Sequence, residues 1–305
     1  MRRSKKQKLF NLGIFFLAFV LMSYLFVFPY HYKVSFTTKQ PPGVVFDHLR
    51  AWSEFSQRDT AKVVNQDMVL YSRLIQNIDH PKGALSVDWS IKRDSDTTTR
   101  VEGRFSATNE ALKEKLRLPF GQSFVPGSSI TLTQSLTQGL IEKSKNFKTH
   151  SISDTITEPL FCAYVPVHTK EGSKAQGMLR QISTVMHYIK DNAISLKGDP
   201  FITVTHWDPL TQDLSFDFCF PIDSTATRPS DPEVRFKTLA SRRYLKAIFN
   251  GNYRVSQQGW YTLLDYAQRN EIKLGSEIIE IYRNDPHEGG DSMEWVAELL
   301  MPIEN

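Results

Sequence analysis

Asp217 and Glu298 hold the placement in this chain that most suggests binding chemistry. Each stands near the end of a segment that reads as strand, helix, strand, strand, on the side of its strand away from the apolar stripe. In the strand near 214–221 the stripe is Phe216, Phe218 and Phe220, which leaves Ser215, Asp217 and Cys219 on the other face. In the strand near 294–302 the stripe is Trp295, Ala297, Leu299 and Met301, opposite Val296, Glu298 and Leu300. On the preceding strands Ile202 with Val204, and Ile279 with Ile281, are expected to face the helices. That turns Thr203, Thr205 and Trp207, together with Glu280 and Tyr282, toward the acidic residues. A carboxylate beside Trp207 or Tyr282 would attract an organic cation through charge and through ring contact worth on the order of 1–2 kcal/mol. The plainer reading of Asp217 is a solvated strand carboxylate.

Other chemistry finds no matching residues. No Gly-x-Ser-x-Gly elbow, phosphate loop or Gly-x-Gly-x-x-Gly occurs. His287-Glu288 lacks the second histidine of a zinc helix, and the remaining histidines are scattered, so no metal or cofactor is expected. Cys162 and Cys219 are the only cysteines, too few for a disulfide scaffold or a cysteine metal site. They read either as small buried hydrophobes or as a pair that closes in an oxidising compartment.

The elements that position the acidic residues come from an internal repeat. Gly198 to Asp208-Pro209 and Gly275 to Asp285-Pro286 have equal length, with β-branched residues between. Each follows a helical stretch with a similar end, Asn192 to Leu196 and Asn270 to Leu274, and precedes a strand closing on Phe220-Pro221-Ile222 or Met301-Pro302-Ile303. Three matches in one order point to duplication. Copy one, about 160–222, has Phe161–His168, a helix within 175–193, and strands near 200–207 and 214–221. Copy two, about 241–303, has a strand near 242–249, a helix within 255–270, and strands near 277–283 and 294–302. Pro229, Pro232 and their polar neighbours read as the linker between copies.

Gly251-Asn-Tyr253, Trp260-Tyr-Thr-Leu-Leu-Asp-Tyr266, Glu280-Ile-Tyr282-Arg-Asn-Asp285-Pro286 and Ala297-Glu298-Leu-Leu-Met-Pro302-Ile resemble the gyrase-inhibitor-like, bacterial effector-binding domain. The resemblance spans about 160–305 and is strongest in copy two, since copy one lacks the Gly-x-Tyr signature. It implies two βαββ units in a pseudo-twofold fold, with a groove for small, often aromatic and cationic ligands. It further implies Glu298 as the charge partner of such a ligand and Tyr282 as an aromatic neighbour. With Trp207 and Asp217, these are the candidate ligand-binding residues.

From Leu9 to Phe28 the chain runs twenty residues without a charge, about the 30 Å of a hydrocarbon core as a helix. Arg2, Arg3, Lys5, Lys6 and Lys8 precede it with no acidic residue, so residues 1–8 are expected to stay in the cytoplasm. A cleaved signal would have a shorter core and a small-x-small exit; here the exit is Phe-Val-Phe-Pro-Tyr-His-Tyr. The expectation is a single-pass inner-membrane anchor with the domains outside, periplasmic in a Gram-negative cell. Beyond the five basic residues, 32 Lys and Arg stand against 33 acidic residues. That near-neutral body argues against a nucleic-acid partner, which needs a concentrated basic face.

Residues 33–150 read as a separate α+β domain. Tyr32–Thr38 alternates as a strand, and Pro41-Pro42 opens a helix. Ala84–Lys92 and Thr98–Ala107 form a strand pair about Asp94–Asp96, with Val87, Trp89 and Ile91 on one face. A polar stretch over 108–129 leads to an amphipathic helix near Thr133–Phe147. Val34-Ser-Phe-x-Thr, Val45-Phe46 and Trp52 make this domain similar to the START-like helix-grip (polyketide cyclase/dehydrase) superfamily, which implies an apolar cavity between helix and sheet.

The fold class expected is therefore α+β: an anchor at 9–28, a helix-grip domain at 33–150 and a duplicated effector-binding domain at 158–305. The leading function is membrane-tethered binding or sensing of a small amphipathic or cationic molecule, without a DNA-binding domain. One alternative is a hydrolase using Glu298 as general base. Another is a structural envelope protein that holds membrane-protein partners.

Overall fold

The computed structural model describes residues 5–27, 29–55 and 62–304. Arg2, Arg3 and Phe28, the last residue of the expected anchor, lie outside the described residues. The chain divides into two compact units. One holds the described residues up to Lys39 with Phe46–Asp94 and Thr98–Gln138; the other holds Gln40–Val45, Ser95–Thr97 and the described residues from Gly139 onward.

In the first unit α1 (Lys5–Val27) is the one helix among the described residues long and apolar enough to cross a membrane, over Gln7–Leu25. Five antiparallel strands follow: β1 (Tyr32–Thr38), β2 (Lys62–Val69), β3 (Arg73–Asp79), β4 (Leu85–Ser95) and β5 (Thr98–Ala107). They lie in the order β1-β5-β4-β3-β2. The alternation in β4 holds: Val87, Trp89 and Ile91 are buried, and Phe105 of β5 meets the Trp89 ring edge-on at 5.5 Å. Gly103 is required beside them, because a Cβ there would come within 2.5 Å of the Trp89 ring. Inside this apolar face Gln76 is fully buried. It accepts from Trp89 Nε1 at 2.9 Å and donates to Leu49 O and Asn65 Oδ1 at 2.8 Å each, satisfying its amide. The helices are α2 (Pro42–Phe55), opened by its proline, then α3 (Ala111–Arg117) and α4 (Val125–Lys145). The polar stretch 108–129 thus contains a short helix, and α4 begins eight residues earlier than its periodicity suggests.

The second unit is built on an eight-stranded antiparallel sheet. Its strands are β6 (Phe147–Ile156), β7 (Leu160–Lys170), β8 (Phe201–Asp208), β9 (Asp213–Pro221), β10 (Arg235–Leu239), β11 (Arg243–Gly251), β12 (Ile278–Tyr282) and β13 (Val296–Pro302). They run in the order β10-β7-β9-β8-β12-β13-β11-β6. Between β7 and β8 lies α5 (Lys174–Asp191), and between β11 and β12 lies α6 (Gln257–Arg269). The expected strand–helix–strand–strand runs are both present, and β10 is a strand inside the stretch read as linker. Gly177 sits against Val167 of β7 and Gly259 against Leu299 of β13, so both helices approach the sheet where a side chain is absent.

The sheet register corrects which residues of β12 face the helices. Glu280 pairs with Ile202 and with Leu299, and Tyr282 with Ala297, so Glu280 and Tyr282 lie on the helix face. Ile279 pairs with Thr203 and Leu300, and Ile281 with Phe201 and Glu298, on the opposite face. The expectation had this strand turned over. Gly198 and Gly275, 77 residues apart, supplied a false alignment. Local features recur 78 residues apart instead: Asn192 and Asn270 cap the two helices, Ala193 and Glu271 both have positive φ, and Leu196 and Leu274 bridge to Ile222 and Ile303. An irregularity between Val204 and His206 absorbs the extra residue before Asp208. It also turns Trp207 to the helix face, opposite Leu214.

Candidate functional site

The register separates the four candidate residues. Asp217 and Glu298 lie on the face away from the helices, on β9 and β13 with β8 and β12 between them, so at least about 14 Å apart. Each carboxylate already has a cation. Lys237 Nζ is 2.6 Å from Asp217 Oδ2 and 2.5 Å from Thr203 Oγ1. Glu298 is paired with Lys246 at 3.2 Å and Arg283 at 3.1 Å, and Arg283 also reaches Asp199 at 2.7 Å. The floor between these ion pairs is apolar: Phe201, Ile279, Leu300, Tyr244, Cys162 and Cys219 pack together. Both cysteines are free and buried there, Cys162 Sγ donating to Lys237 O at 3.7 Å and Cys219 Sγ to Asp217 O at 3.4 Å.

Trp207 and Tyr282 lie on the helix face, beside a buried group of polar and aromatic side chains. Glu280 has no solvent exposure. Its carboxylate accepts from Lys174 Nζ at 2.8 Å on both oxygens and from the Tyr282 hydroxyl at 2.6 Å. Lys174 Nζ also donates to Ser256 Oγ at 2.5 Å, and that hydroxyl lies 2.8 Å from Glu280 Oε2 and 2.9 Å from Tyr253 O. The ammonium sits 4.9 Å from the centre of the Trp260 ring. Around it, Trp207 meets Trp260 edge-on at 5.0 Å and Tyr261 at 5.7 Å, while Tyr253 meets Tyr282 at 4.8 Å. A second buried carboxylate, Glu171, accepts from Trp207 Nε1 at 2.9 Å and from the Tyr261 hydroxyl at 3.4 Å. The arrangement is an aromatic cage holding an ammonium against a carboxylate.

Its electrostatics follow from burial. Desolvation lowers the Lys174 ammonium below the ordinary lysine range, with Glu280 and Glu171 opposing that shift. Burial, aided by the neighbouring Glu280 carboxylate, holds the Tyr282 phenol well above its usual range. Burial likewise pushes Tyr253 up to about 12. Trp260 Nε1 is buried and donates to no protein atom. No cluster of metal-ligating side chains occurs among the described residues.

Sequence reasoning missed Lys174, Glu171, Ser256 and Trp260, and placed Glu280 on the wrong face. A signal for Lys174 was present. It stands three residues before Gly177 on the stripe that continues through Val185, Tyr188 and Ile189, so a helix reading puts its side chain on the buried side.

Comparison with known proteins agrees with the resemblance seen in the motifs. Residues 165–304 match the model of the GyrI-like small molecule binding domain. No curated protein matches the chain. Among solved structures, the EcmrR C-terminal domain is 13% identical with a TM-score of 0.44, covering 52% of this chain and 98% of that one. A structure of SAV2435 bound to tetraphenylphosphonium is 14% identical with a TM-score of 0.35, covering 51% and 95%. A hydrolase from Listeria innocua is 12% identical with a TM-score of 0.34, covering 53% and 97%. The motifs and this match accord: over residues 165–304 the chain matches the GyrI-like small molecule binding domain.

Proposed function

We propose that the chain is a membrane-anchored binding protein for an amphipathic small molecule carrying a cation, and that the ligand's cation exchanges with the Lys174 ammonium in the aromatic cage. The observation that carries this reading is the Glu280 carboxylate, fully buried among aromatic rings and already holding an ammonium. Carboxylate and ring faces together recognise organic cations better than hydrated metal ions. Lys174 is placed to leave. It is the first residue of α5, where a cation opposes the helix dipole, and Ser173 before it makes no side-chain capping bond. In this reading Tyr282 and Trp207 line the ligand, while Asp217 and Glu298 serve the opposite face.

A second reading keeps Asp217 and Glu298 as ligand residues. It is favoured by the apolar floor between their two ion pairs, with Tyr164 and Ile281 partly exposed beside it. Such a face suits an amphipathic molecule whose head exchanges with one of the ion pairs.

The wider architecture completes the proposal. The two strand–helix–strand–strand runs are read as copies about a pseudo-twofold, and the first unit as a compact START-like helix-grip domain. Exposed apolar side chains along α1, from Leu9 to Met22, support a bilayer anchor with the units on the extracytoplasmic side. A thermal-shift screen of the full chain in detergent with lipophilic cations tests the binding. Stabilisation that disappears in Glu280→Gln and persists in Glu298→Gln is expected. The reverse pattern favours the opposite face, and no response in any form removes the proposal.

A further inference from the structure

Beside the end of α1, the first unit exposes apolar side chains that its core does not use. In α3 and the 3-10 turn Leu118–Phe120 after it, Leu112, Leu116 and Phe120 are 62%, 40% and 76% exposed. Their spacing of four residues gathers them on one side. The same segment is tied to the junction of α1 and β1 at three points. Tyr24 Oη donates to Lys115 O at 3.2 Å, Lys115 Nζ donates to Leu25 O at 2.8 Å, and His31 Nε2 donates to Ala111 O at 2.8 Å. The Lys115 ammonium also lies 5.9 Å from the Tyr24 ring centre.

These contacts fix a depth. Leu25 lies three residues before the end of the uncharged run at Phe28, and its carbonyl is one of those a helix leaves unsatisfied at its C-terminus. Lys115 caps it with the sign the helix dipole favours. If α1 crosses a bilayer, Leu25 lies within about one helical turn of the edge of the hydrocarbon. A helix pinned to that carbonyl then lies at headgroup level, where apolar side chains enter the acyl boundary and lysine or arginine stems reach back to water. Lys113, exposed and paired with Glu110, and Arg117, half-buried and paired with Glu114, supply those cations.

We infer that α3 and the turn after it are a second membrane contact, lying in the plane of the lipid surface beside the exit of α1, with Leu112, Leu116 and Phe120 in the acyl boundary. This rests on the reading of α1 as a membrane anchor. A bilayer is the occupant favoured over a protein, because a stripe of three side chains is far below the area of a stable protein interface, and the anchor holds it at the lipid surface permanently. The contact would fix the tilt of the first unit on the membrane, where a single helix alone would leave it free to swing.

The test is site-directed spin labelling of the full chain in liposomes of phosphatidylethanolamine and phosphatidylglycerol, in a Cys162→Ala/Cys219→Ala background. Labels are placed at Phe15→Cys in α1, at Leu112→Cys and Phe120→Cys, and at Lys148→Cys on exposed β6 as the aqueous reference. Collisions with oxygen report lipid, and collisions with a water-soluble nickel chelate report water. The expected result is an oxygen-to-chelate ratio several-fold higher at positions 15, 112 and 120 than at 148. A lipid-facing label at 15 with water-facing labels at 112 and 120 overturns the inference and leaves the anchor standing. A water-facing label at 15 overturns the anchor and the inference with it. Labels at 112 and 120 shielded from both reagents also overturn it, in favour of a protein partner or a second copy of the chain.

Discussion

The ammonium of Lys174 lies 2.8 Å from both carboxylate oxygens of Glu280, and neither side chain has any solvent exposure. Such a pair is costly to break on one side only, because the remaining charge stays buried without its partner. Lys174→Met or Glu280→Gln alone is expected to lower stability by about 3–5 kcal/mol, while the double variant, which removes both charges at similar volume, recovers most of the loss. Urea unfolding followed by tryptophan fluorescence measures this. Losses that simply add in the double variant would contradict the pairing.

Alkaline pH should weaken the second unit through its buried phenols. Tyr253 is pushed up to about 12 and Tyr282 is also raised, both from the ordinary value of 10.0. Each therefore keeps its proton in the folded state after the unfolded chain has lost it. The sign follows: stability is full below the unfolded pKa and declines as pH rises from about 10 toward 12. Urea midpoints across that range are expected to fall less steeply in Tyr253→Phe and Tyr282→Phe than in the wild type. Equal slopes would show that neither phenol is held protonated by the fold.

In the first unit Gln76 links three polar groups inside an apolar core. Gln76→Leu keeps the volume roughly equal but leaves Trp89 Nε1 and Leu49 O without this partner. The expected loss is about 1–3 kcal/mol, and a neutral or stabilised Gln76→Leu protein would contradict the network.

Close packing at Gly103 gives a prediction of different origin. Gly103→Ala drives a methyl into the Trp89 ring, and the strand can yield only by shifting β5 away from β4. Destabilisation of about 1–3 kcal/mol is expected, in the range of other overpacked cores. Combining it with Trp89→Phe, which frees space, should give less than the sum of the two losses.

Much of the second unit could be read from residue patterns, because its strands alternate and its helices carry strong apolar stripes. The runs around Phe216–Phe220 and Trp295–Met301 put their faces correctly, since Ser215 and Asp217 mark the face opposite the phenylalanines and Glu298 marks the face opposite Ala297 and Leu299. β12 did not, because Ile278-Ile-Glu-Ile-Tyr282 offers an apolar residue to either face. An irregularity between Val204 and His206 has no sequence mark, and it was enough to turn Trp207 over. β2 and β3 went unseen because Lys62–Val69 and Arg73–Asp79 mix polar residues into both faces, and β10 because it follows a proline-rich stretch. The cage itself joins Lys174, Ser256 and Glu280 from three separate elements, and no local pattern connects residues 106 positions apart.

Calorimetric titration of the full chain in detergent with a lipophilic quaternary cation tests the cage as a ligand site. Saturable binding to the wild type is expected, with tighter binding to Lys174→Met, where the tethered competitor is gone, and none to the Lys174→Met/Glu280→Gln double variant. Equal binding by the wild type and the double variant, or none by wild type and Lys174→Met alike, would contradict it.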